Sequence, residues 1–343
     1  MLGSDVLADR FVVTDLANVR YLSGFSGSNA VLIVGRDPDD DVIGTDGRYR
    51  DQVAGESPDL PTVIDRDTLL AITADLLGGT SAIESTLSIG DVERLRAQQV
   101  VTIMTTGTVE SLRSVKDEGE LAALSSACAI TVAGFTAMAA ELRPGMSELG
   151  VARRLEQLFG ELGAEDRAFD TIVGAGPHSA IPHHQPGHRA LQAGDLLVID
   201  AGARVDGYHA DMTRTFVVGV EPAGWQSEIH TLVHRAQADA TAAYRPGADA
   251  RSIDAIARGV IADAGHADEF THGLGHGVGL RIHEAPLLGP RSTGTLEADM
   301  AITVEPGVYL LGRGGVRIED TLVVTDTGPR ILTEAPRDLV VVG

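Results

Sequence analysis

The sequence predicts an α/β protein of two domains, a small amino-terminal α/β domain followed by an α+β domain that contains an internal pseudo-twofold duplication. The chain has 343 residues, which is long for one domain and suits two. Short strand and helix patterns alternate over residues 1–112. A helix–Arg-Pro-Gly–helix plan then occurs twice within residues 113–343.

The amino-terminal domain is predicted from short apolar runs that are bounded by turn residues. Helical patterns lie near Asp67–Leu77 and Asp91–Gln99. The strands are expected at Phe11–Thr14, Ala30–Val34, Thr62–Ile64, Ala82–Glu84 and Val100–Thr105. Alternation of the two element types predicts an α/β domain.

The second domain begins with a long helical pattern, Asp117–Leu142, which stops at Arg-Pro-Gly, and Ser147 then caps a second helix. The same plan returns with a helix over Gln226–Tyr244, another Arg-Pro-Gly and a further helix that carries Ile253. Strand-like and glycine-rich sequence follows each copy. Two such halves would pack about a pseudo-twofold axis with a cleft between them.

Composition excludes several classes of function. There are 27 basic and 49 acidic residues, a net charge of −22, which argues against nucleic acid or an anionic membrane as a partner. The single cysteine, Cys128, excludes a disulfide framework and fits a reducing compartment. The first ten residues have no signal-peptide pattern, and no apolar run approaches a membrane span, so we expect a cytoplasmic protein.

Two aspartates lie on neighbouring strand patterns in the first half of the duplication. Asp200 follows the apolar run that starts at Leu196, and Asp211 lies beyond the turn sequence Arg204–Gly207. If the loop has four residues, Asp200 pairs directly with Asp211, about 5 Å away on the same face. Two buried carboxylates in this arrangement repel each other unless a cation lies between them.

The second half supplies matching groups. Glu305 ends an apolar strand pattern at a Pro-Gly breaker, and Arg317 and Glu319 share one face of a further strand pattern. Alone, Glu319 would more often be a solvated strand charge than a ligand.

Three histidines, His272, His276 and His283, lie within twelve residues that also contain four glycines. Glycine permits close approach of backbone and ligand. The spacing fits neither a dinucleotide loop nor the His-Glu-x-x-His pattern of zinc proteases. A functional role is therefore the better interpretation of this group.

The ligand candidates are Asp200, Asp211, His276, Glu305 and Glu319. Four carboxylates and one imidazole favour Mn²⁺, with Co²⁺, Fe²⁺ or Zn²⁺ as alternatives. Four negative charges need about two divalent ions to balance them, and paired ions about 3.5–4 Å apart generate hydroxide from a shared water at neutral pH.

This series of residues resembles the metal ligands of the M24 peptidases, the "pita-bread" enzymes that include methionine aminopeptidase, aminopeptidase P and prolidase. The matching segments are Val-Ile-Asp-Ala-Gly, His-Ala-Asp-Met-Thr-Arg-Thr, Gly-His-Gly-Val-Gly, Thr-Val-Glu-Pro-Gly and Arg-Ile-Glu-Asp. The segments that begin at Asn18 and Thr45 resemble the amino-terminal domain of aminopeptidase P and prolidase, which methionine aminopeptidase lacks.

The resemblance implies roles for individual residues. Asp211 and Glu319 would bridge two metal ions, Asp200 would chelate one, and His276 and Glu305 would complete the other. Glu305 would also shuttle a proton. His183, rather than its neighbour His184, would contact substrate at the mouth of the site. His272 and His283 would polarise the scissile carbonyl and position the peptide, and Arg317 would orient Glu319.

The predicted function is metal-dependent removal of an amino-terminal residue that precedes proline, the Xaa-Pro aminopeptidase reaction. The resemblance also implies a homodimer to which the amino-terminal domain contributes. The substrates would be short proline-containing peptides. Xaa-Pro dipeptidase (prolidase) activity is the alternative. Two further classes are a non-catalytic binding protein on the same fold and a metal-free hydrolase of the creatinase type, and the intact ligand set argues against both.

Substrate length depends on how the proline carboxylate is bound. Some prolidases place an arginine directly after their His-Glu-x-Pro segment, where this chain has Leu287. We therefore expect cleavage of Xaa-Pro-Yaa to be at least as efficient as cleavage of Xaa-Pro, unless Arg281 or Arg313 binds the carboxylate.

Overall fold

The structure is a computed structural model that describes residues 8–73 and 79–343. The chain divides into two compact units, Met1–Arg113 and Ser114–Gly343.

The first unit is built on a six-stranded mixed sheet with the strand order β4-β3-β2-β1-β5-β6. Its strands are β1 Arg10–Val13, β2 Ala30–Gly35, β3 Val42–Thr45, β4 Thr62–Ile64, β5 Thr80–Glu84 and β6 Val101–Thr105. Its helices are α1 Leu16–Ser23, α2 Arg50–Glu56, α3 Thr68–Thr73, α4 Ile89–Ala97 and α5 Thr108–Ser114. The predicted α/β class is confirmed.

Sequence patterns located five of these six strands, but β3 was not predicted. β3 is Val-Ile-Gly-Thr, and its glycine, a residue type depleted in strands, interrupts a short apolar run that follows three aspartates. Helix α3 begins within the predicted Asp67–Leu77 pattern, and the last residues of that pattern lie outside the described part of the chain.

The second unit contains two helix pairs and several small sheets. The helices are α6 Glu118–Glu141, α7 Glu148–Glu161, α8 Gly224–Thr241 and α9 Ala250–Asp263. The first strands are β7 Asp166–Arg167, β8 Ile172–Ala175, β9 Leu196–Ala201, β10 Ala203–Val205, β11 Tyr208–His209 and β12 Met212–Val218. The remaining strands are β13 Gly275–Gly277, β14 Glu284–Leu288, β15 Ala301–Val304, β16 Gly307–Leu310, β17 Gly314–Arg317, β18 Asp320–Val323, β19 Arg330–Ile331 and β20 Val340–Val342.

Each helix pair covers a sheet of its own. Phe135 of α6 and Leu155 of α7 share a core with Ile199 of β9, which belongs to the sheet β20-β12-β9-β8. Val233 of α8 shares a second core with Ile302 of β15, which belongs to the sheet β14-β13-β15-β18-β19. Burial of the apolar faces against these sheets stabilises the helices.

Matched hydrogen bonds relate the two halves. Gly145 N donates to Leu191 O at 2.9 Å in the first half, and Gly247 N donates to Leu296 O at 2.8 Å in the second. Both glycines follow Arg-Pro and have positive φ angles, +90° and +80°, which glycine adopts without steric cost. The predicted internal duplication is therefore present in the backbone.

The halves are joined by direct contacts of strand β12. Arg214 Nη2 donates to Asp320 Oδ1 at 2.8 Å, and Thr215 Oγ1 donates to Arg317 O at 2.9 Å. The segment 316–324, which the sequence suggested was one strand, is split between β17 and β18, and Glu319 lies in the break.

The predicted register of the first hairpin was wrong. Asp200 pairs with Thr213, not with Asp211, and the loop is the two-residue turn Asp206–Gly207. Both turn residues have positive φ, +48° and +76°, as in the type I′ turn that Asp-Gly favours in hairpins. Because side chains alternate between the two faces of a strand, a register shift of two residues leaves each side chain on the same face. Asp211, two residues before Thr213, is therefore still expected on the face of Thr213.

Helix α6 is long and apolar enough to cross a membrane by length and composition, with a mean hydropathy of 1.7 over its most apolar 18 residues. Its buried residues include Leu124, Cys128 and Phe135, and they pack in the cores of the second unit. We therefore interpret α6 as a core helix.

Candidate active site

Strand ends of the second unit place the five predicted ligand residues close together. Asp200 lies in β9 and His276 in β13, Glu305 follows β15, and Asp211 and Glu319 directly precede β12 and β18. Four of the five are buried, and Glu305 is partly buried. The structure thus brings together carboxylates from both halves.

His276 faces two of these carboxylates through one ring nitrogen. Its Nδ1 lies 3.0 Å from Gly277 O, and since a carbonyl only accepts, Nδ1 is the protonated nitrogen. The unprotonated Nε2 lies 3.5 Å from Asp211 Oδ2 and 3.4 Å from Glu305 Oε1. Burial lowers the pKa of His276 to about 4, so the ring is neutral at neutral pH.

These separations suit a shared cation. Ligand atoms of Asp211, His276 and Glu319 all lie within 4.8 Å of one another. Two ligands that each bind a cation at about 2.1 Å, at adjacent positions, lie about 3.0–3.4 Å apart. The separations from His276 Nε2 are close to this range, so little movement would be needed to bind an ion.

The carboxylates raise one another's pKa values in the absence of a cation. Burial, together with the charges of Glu319 and Asp200, raises the pKa of Asp211 well above its usual range. Burial, together with the charges of Glu305 and Asp200, does the same for Glu319. Burial raises the pKa of Glu305 to about 8, although Arg317 opposes the shift. Such a site favours positive charge.

One carboxylate oxygen of Asp200 also indicates that the site favours a cation. Its Oδ2 accepts a 2.7 Å hydrogen bond from Arg317 Nη2. Its Oδ1 is buried and has no hydrogen-bond partner among the described residues. A buried carboxylate oxygen without a donor is costly, and a divalent ion bound by this donor set would satisfy it. The residues therefore fit the metal ions that the sequence predicts.

Arg317 connects several groups of the site. It donates from Nη1 to Tyr309 Oη at 2.9 Å and from Nε to Thr213 Oγ1 at 3.0 Å. Thr213 Oγ1 in turn donates to Glu319 Oε2 at 2.7 Å. The predicted orientation of Glu319 by Arg317 therefore runs through Thr213, whereas the direct ion pair of Arg317 is with Asp200.

His272 is held at both ring nitrogens. Nδ1 lies 2.8 Å from Gly273 O and is therefore protonated, and Nε2 accepts from Tyr309 Oη at 2.8 Å. Burial, with the nearby charge of Arg317, lowers the pKa of His272 to about 4. A contact between His272 Nε2 and substrate would need the Tyr309 hydroxyl to turn away.

His283 and His183 lie on the exposed side of the site. The His283 ring contacts the His276 ring edge to face, with centroids 4.4 Å apart. Burial and the nearby His183 lower the pKa of His283, and His183 also contributes to the lowered pKa of His272. His183 itself is exposed. His183 and His283 are therefore accessible from solvent, whereas both ring nitrogens of His272 are engaged.

Sequence analysis did not identify Thr213, Tyr309 or Glu148 as residues of interest. Thr213 lies two residues after Asp211, and the strand period of two would have placed both on one face. Tyr309 offered no such signal, because its partners His272 and Arg317 come from other elements. Glu148, with His178 and His184, forms a second group of possible metal ligands outside the site.

Comparison with known proteins gives the family. The Metallopeptidase family M24 model matches residues 122–326, which include all five predicted ligands, and the Creatinase/Prolidase N-terminal domain model matches residues 5–115. The chain belongs to metallopeptidase family M24. Its fold, an amino-terminal creatinase-type domain followed by a pita-bread catalytic domain, and its class, a metallo-exopeptidase, agree with the sequence-based predictions.

Relatives of this M24 member match over nearly its whole length. The Xaa-Pro dipeptidase of Pyrococcus furiosus is 37% identical, over 96% of this chain and 95% of the relative. The solved structure of an Xaa-Pro dipeptidase from Bacillus anthracis has a TM-score of 0.93 at 35% identity and covers 98% of this chain and 95% of that one. The X-Pro aminopeptidase structure from Thermotoga maritima has a TM-score of 0.90 at 34% identity and covers 98% of each chain.

Proposed function

We propose that this M24 peptidase is an Xaa-Pro dipeptidase that uses two divalent metal ions. The observation that carries the proposal is the group of carboxylates, Asp211, Glu305 and Glu319, beside the neutral His276, in a chain whose relatives over nearly the full length include Xaa-Pro dipeptidases. The proposal favours the alternative of the sequence analysis over its first choice, the Xaa-Pro aminopeptidase.

The ligands divide between the halves of the duplication. In the proposed arrangement Asp200, Asp211, His276, Glu305 and Glu319 would hold the ions. Bound divalent ions would lower the pKa of a water molecule and polarise the peptide carbonyl. Mn²⁺ is the proposed ion, since hard oxygen donors dominate the set.

The remaining steps fall to side chains of the chain itself. Glu305 is partly buried, and its Oε1 lies 3.4 Å from His276 Nε2, so its carboxylate faces the centre of the proposed site. We propose that it takes a proton from the attacking water and delivers it to the leaving proline nitrogen. Arg317 keeps Asp200 and Thr213 in place, which fixes the carboxylates around this reaction.

Substrate binding is assigned to the histidines at the open side. His283 has no hydrogen bond through its ring among the described residues, so it can donate to a substrate carbonyl without breaking an existing bond. His183 would contact the peptide from a different part of the chain, about 100 residues before His283. His272, whose nitrogens are both engaged, would act with Tyr309 as one unit.

The dipeptidase proposal needs a cation for the proline carboxylate. Leu287, which lies at the position where some prolidases have an arginine, is 61% exposed and supplies no charge. Arg313 stacks on Trp225, with its Cζ atom 4.1 Å from the ring centroid. Arg281 is two residues from His283, and its N–H donates to Glu284 Oε1 at 2.8 Å. We propose Arg281, because it shares a loop with a substrate histidine.

We further propose a cytoplasmic homodimer. The single buried cysteine and the acidic composition support the compartment. The dimer rests on the family resemblance of the amino-terminal domain.

The test is a comparison of kcat/KM for Ala-Pro, Ala-Pro-Gly and Ala-Ala with the Mn²⁺-loaded protein. We expect Ala-Pro to be the best substrate and Ala-Ala to be poor. Higher kcat/KM for Ala-Pro-Gly than for Ala-Pro would restore the aminopeptidase assignment. Metal binding without cleavage of any proline peptide would favour the non-catalytic binding protein, and cleavage without metal would favour the creatinase type.

A further inference from the structure

Glu148 is a buried carboxylate that lies outside the proposed metal site. Its side chain is 0% exposed, and it accepts four hydrogen bonds. Oε1 accepts from Ala175 N at 2.9 Å and His178 Nδ1 at 2.8 Å. Oε2 accepts from His184 Nε2 at 3.0 Å and Gly187 N at 3.2 Å. Both oxygens are therefore fully used, each by one backbone N–H and one imidazole.

The fold does not require a carboxylate at this place. Glu148 is the first residue of α7, and its N–H donates to Arg189 O at 3.1 Å. The equivalent residue of the second half is Ala250, the first residue of α9, whose N–H donates to Gly294 O at 3.1 Å. Both positions are buried, with exposed fractions of 0%. The same backbone position thus carries a charge in one half and a methyl group in the other, so the charge serves something specific to the first half.

The hydrogen-bond partners of Glu148 show which feature of the first half its charge serves. Pro182 begins the segment 182–187, and its carbonyl oxygen accepts a hydrogen bond of 3.4 Å from Arg317 Nη1. Further along the segment, His184 and Gly187 donate to Glu148. His183 lies between the two attachments. One end of the segment is therefore fixed to the active-site arginine and the other to Glu148, and His183 is held at the open side of the site.

The imidazole partners reinforce this attachment. The rings of His178 and His184 lie against each other, with centroids 4.2 Å apart. Burial raises the pKa of Glu148, but the hydrogen bonds from His184, Ala175 N and His178 outweigh it, so the pKa is lowered overall and the carboxylate stays charged. A charged acceptor at the N-terminus of α7 is also stabilised by the helix dipole.

We propose that Glu148 is a positioning residue, which fixes the segment 182–187 through His184 and the Gly187 amide, and the preceding residues through His178 and the Ala175 amide, so that His183 meets the substrate. The inference rests on the proposed substrate contact of His183. It assigns Glu148 an effect on substrate binding and none on metal content.

The first experiment is a double-mutant cycle with Glu148→Gln and His183→Ala, assayed with Mn²⁺ and Ala-Pro. The amide of Glu148→Gln cannot accept all four hydrogen bonds, so kcat/KM should fall about tenfold to 100-fold, mostly through KM. In the His183→Ala background the same change should have little further effect, because the group being positioned is already gone. Glu161→Gln, an exposed change in the same helix, is the matched control.

The second experiment covers the case in which Glu148→Gln does not fold. His184→Phe keeps a ring but removes the hydrogen bond to Glu148, and it should raise KM. His184→Gln restores a donor and should recover part of the loss. Metal content by elemental analysis should match the wild type in both variants.

The outcomes separate this inference from the proposed function. Wild-type protein that cleaves no proline dipeptide would refute the proposed function. Wild-type cleavage with additive effects of Glu148→Gln and His183→Ala, or with equal KM for His184→Phe and His184→Gln, would refute only the positioning role. So would a third metal ion per chain that is lost in His184→Phe, because two imidazoles and a carboxylate would then be serving as zinc ligands.

Discussion

Arg317 Nη2 donates a 2.7 Å hydrogen bond to Asp200 Oδ2, which leaves Asp200 Oδ1 buried and without a hydrogen-bond partner among the described residues. The guanidinium fixes the orientation of the carboxylate and balances one negative charge. The second oxygen is left for a ligand that brings positive charge. In the proposed metal site, the pair would therefore orient Asp200 for an ion while limiting repulsion among the carboxylates in the metal-free protein.

Arg317→Lys should lower both metal affinity and kcat/KM by about 10–100-fold, the usual effect of removing a partner that orients metal ligands. A lysine keeps the charge but cannot donate to Asp200, Tyr309 and Thr213 at once. Calorimetric Mn²⁺ titration and Ala-Pro kinetics measure the two effects. Arg330→Lys, on the exposed part of β19, is the control, and an equal loss there would contradict the explanation.

Asp211→Asn should abolish most activity and reduce metal content, with the fold intact, because the amide preserves shape and removes a shared negative charge. Elemental analysis and far-UV circular dichroism check both expectations. The control is Asp206→Asn, which changes the same residue type in an exposed turn. Near-wild-type turnover of Asp211→Asn at limiting metal would show that Asp211 is not a ligand.

The two neighbouring histidines should separate in a metal assay. His276→Ala should reduce metal occupancy, since its Nε2 faces Asp211 and Glu305. His283→Ala should lower the rate and leave occupancy close to that of the wild type, because its role is toward the substrate. The reverse pattern would exchange the two assignments.

The metal-free protein should lose stability as pH rises from about 6.5 to 8. Burial raises the pKa of Glu305 to about 8, so the folded state binds more protons than the unfolded state in this window, and stability falls with pH. The neutral histidines His272 and His276, with pKa values lowered to about 4, act oppositely only below about pH 6.5. For Glu305 alone the loss is roughly 1–2 kcal/mol.

Urea unfolding at the two pH values, with and without Mn²⁺, measures this loss. The metal-bound protein should show a smaller dependence, and metal-free Glu305→Gln should lose less stability than the metal-free wild type. A metal-free wild type that gains stability between these pH values would contradict the direction of the carboxylate shifts.

Arg281→Gln should raise KM for Ala-Pro and leave kcat/KM for Ala-Pro-Gly nearly unchanged, because only the dipeptide places its carboxylate next to proline. Steady-state kinetics with both peptides give the comparison. If Arg313→Gln produces this selective effect instead, the carboxylate is bound by Arg313, the arginine that stacks on Trp225.

The sequence alone located the five candidate ligand residues that the structure brings close together, because each of the four carboxylates lies beside an apolar strand pattern, a local signal. It did not predict the register of Asp200, because that depends on whether the chain turns in two residues or four. The sequence alone also could not predict the contacts of Thr213 with Glu319 and of Glu148 with His184. Their partners are 106 and 36 residues apart, and only the packed structure brings them together.

Strand β12 joins the two halves by direct hydrogen bonds between protein groups, from Arg214 to Asp320 and from Thr215 to Arg317. Bound metal ions would therefore add to an interface between the halves that is already formed by hydrogen bonds. A chelator should empty the site without parting the halves. The enzyme could then be inactivated and reloaded repeatedly, with metal supply as an on–off control of its activity.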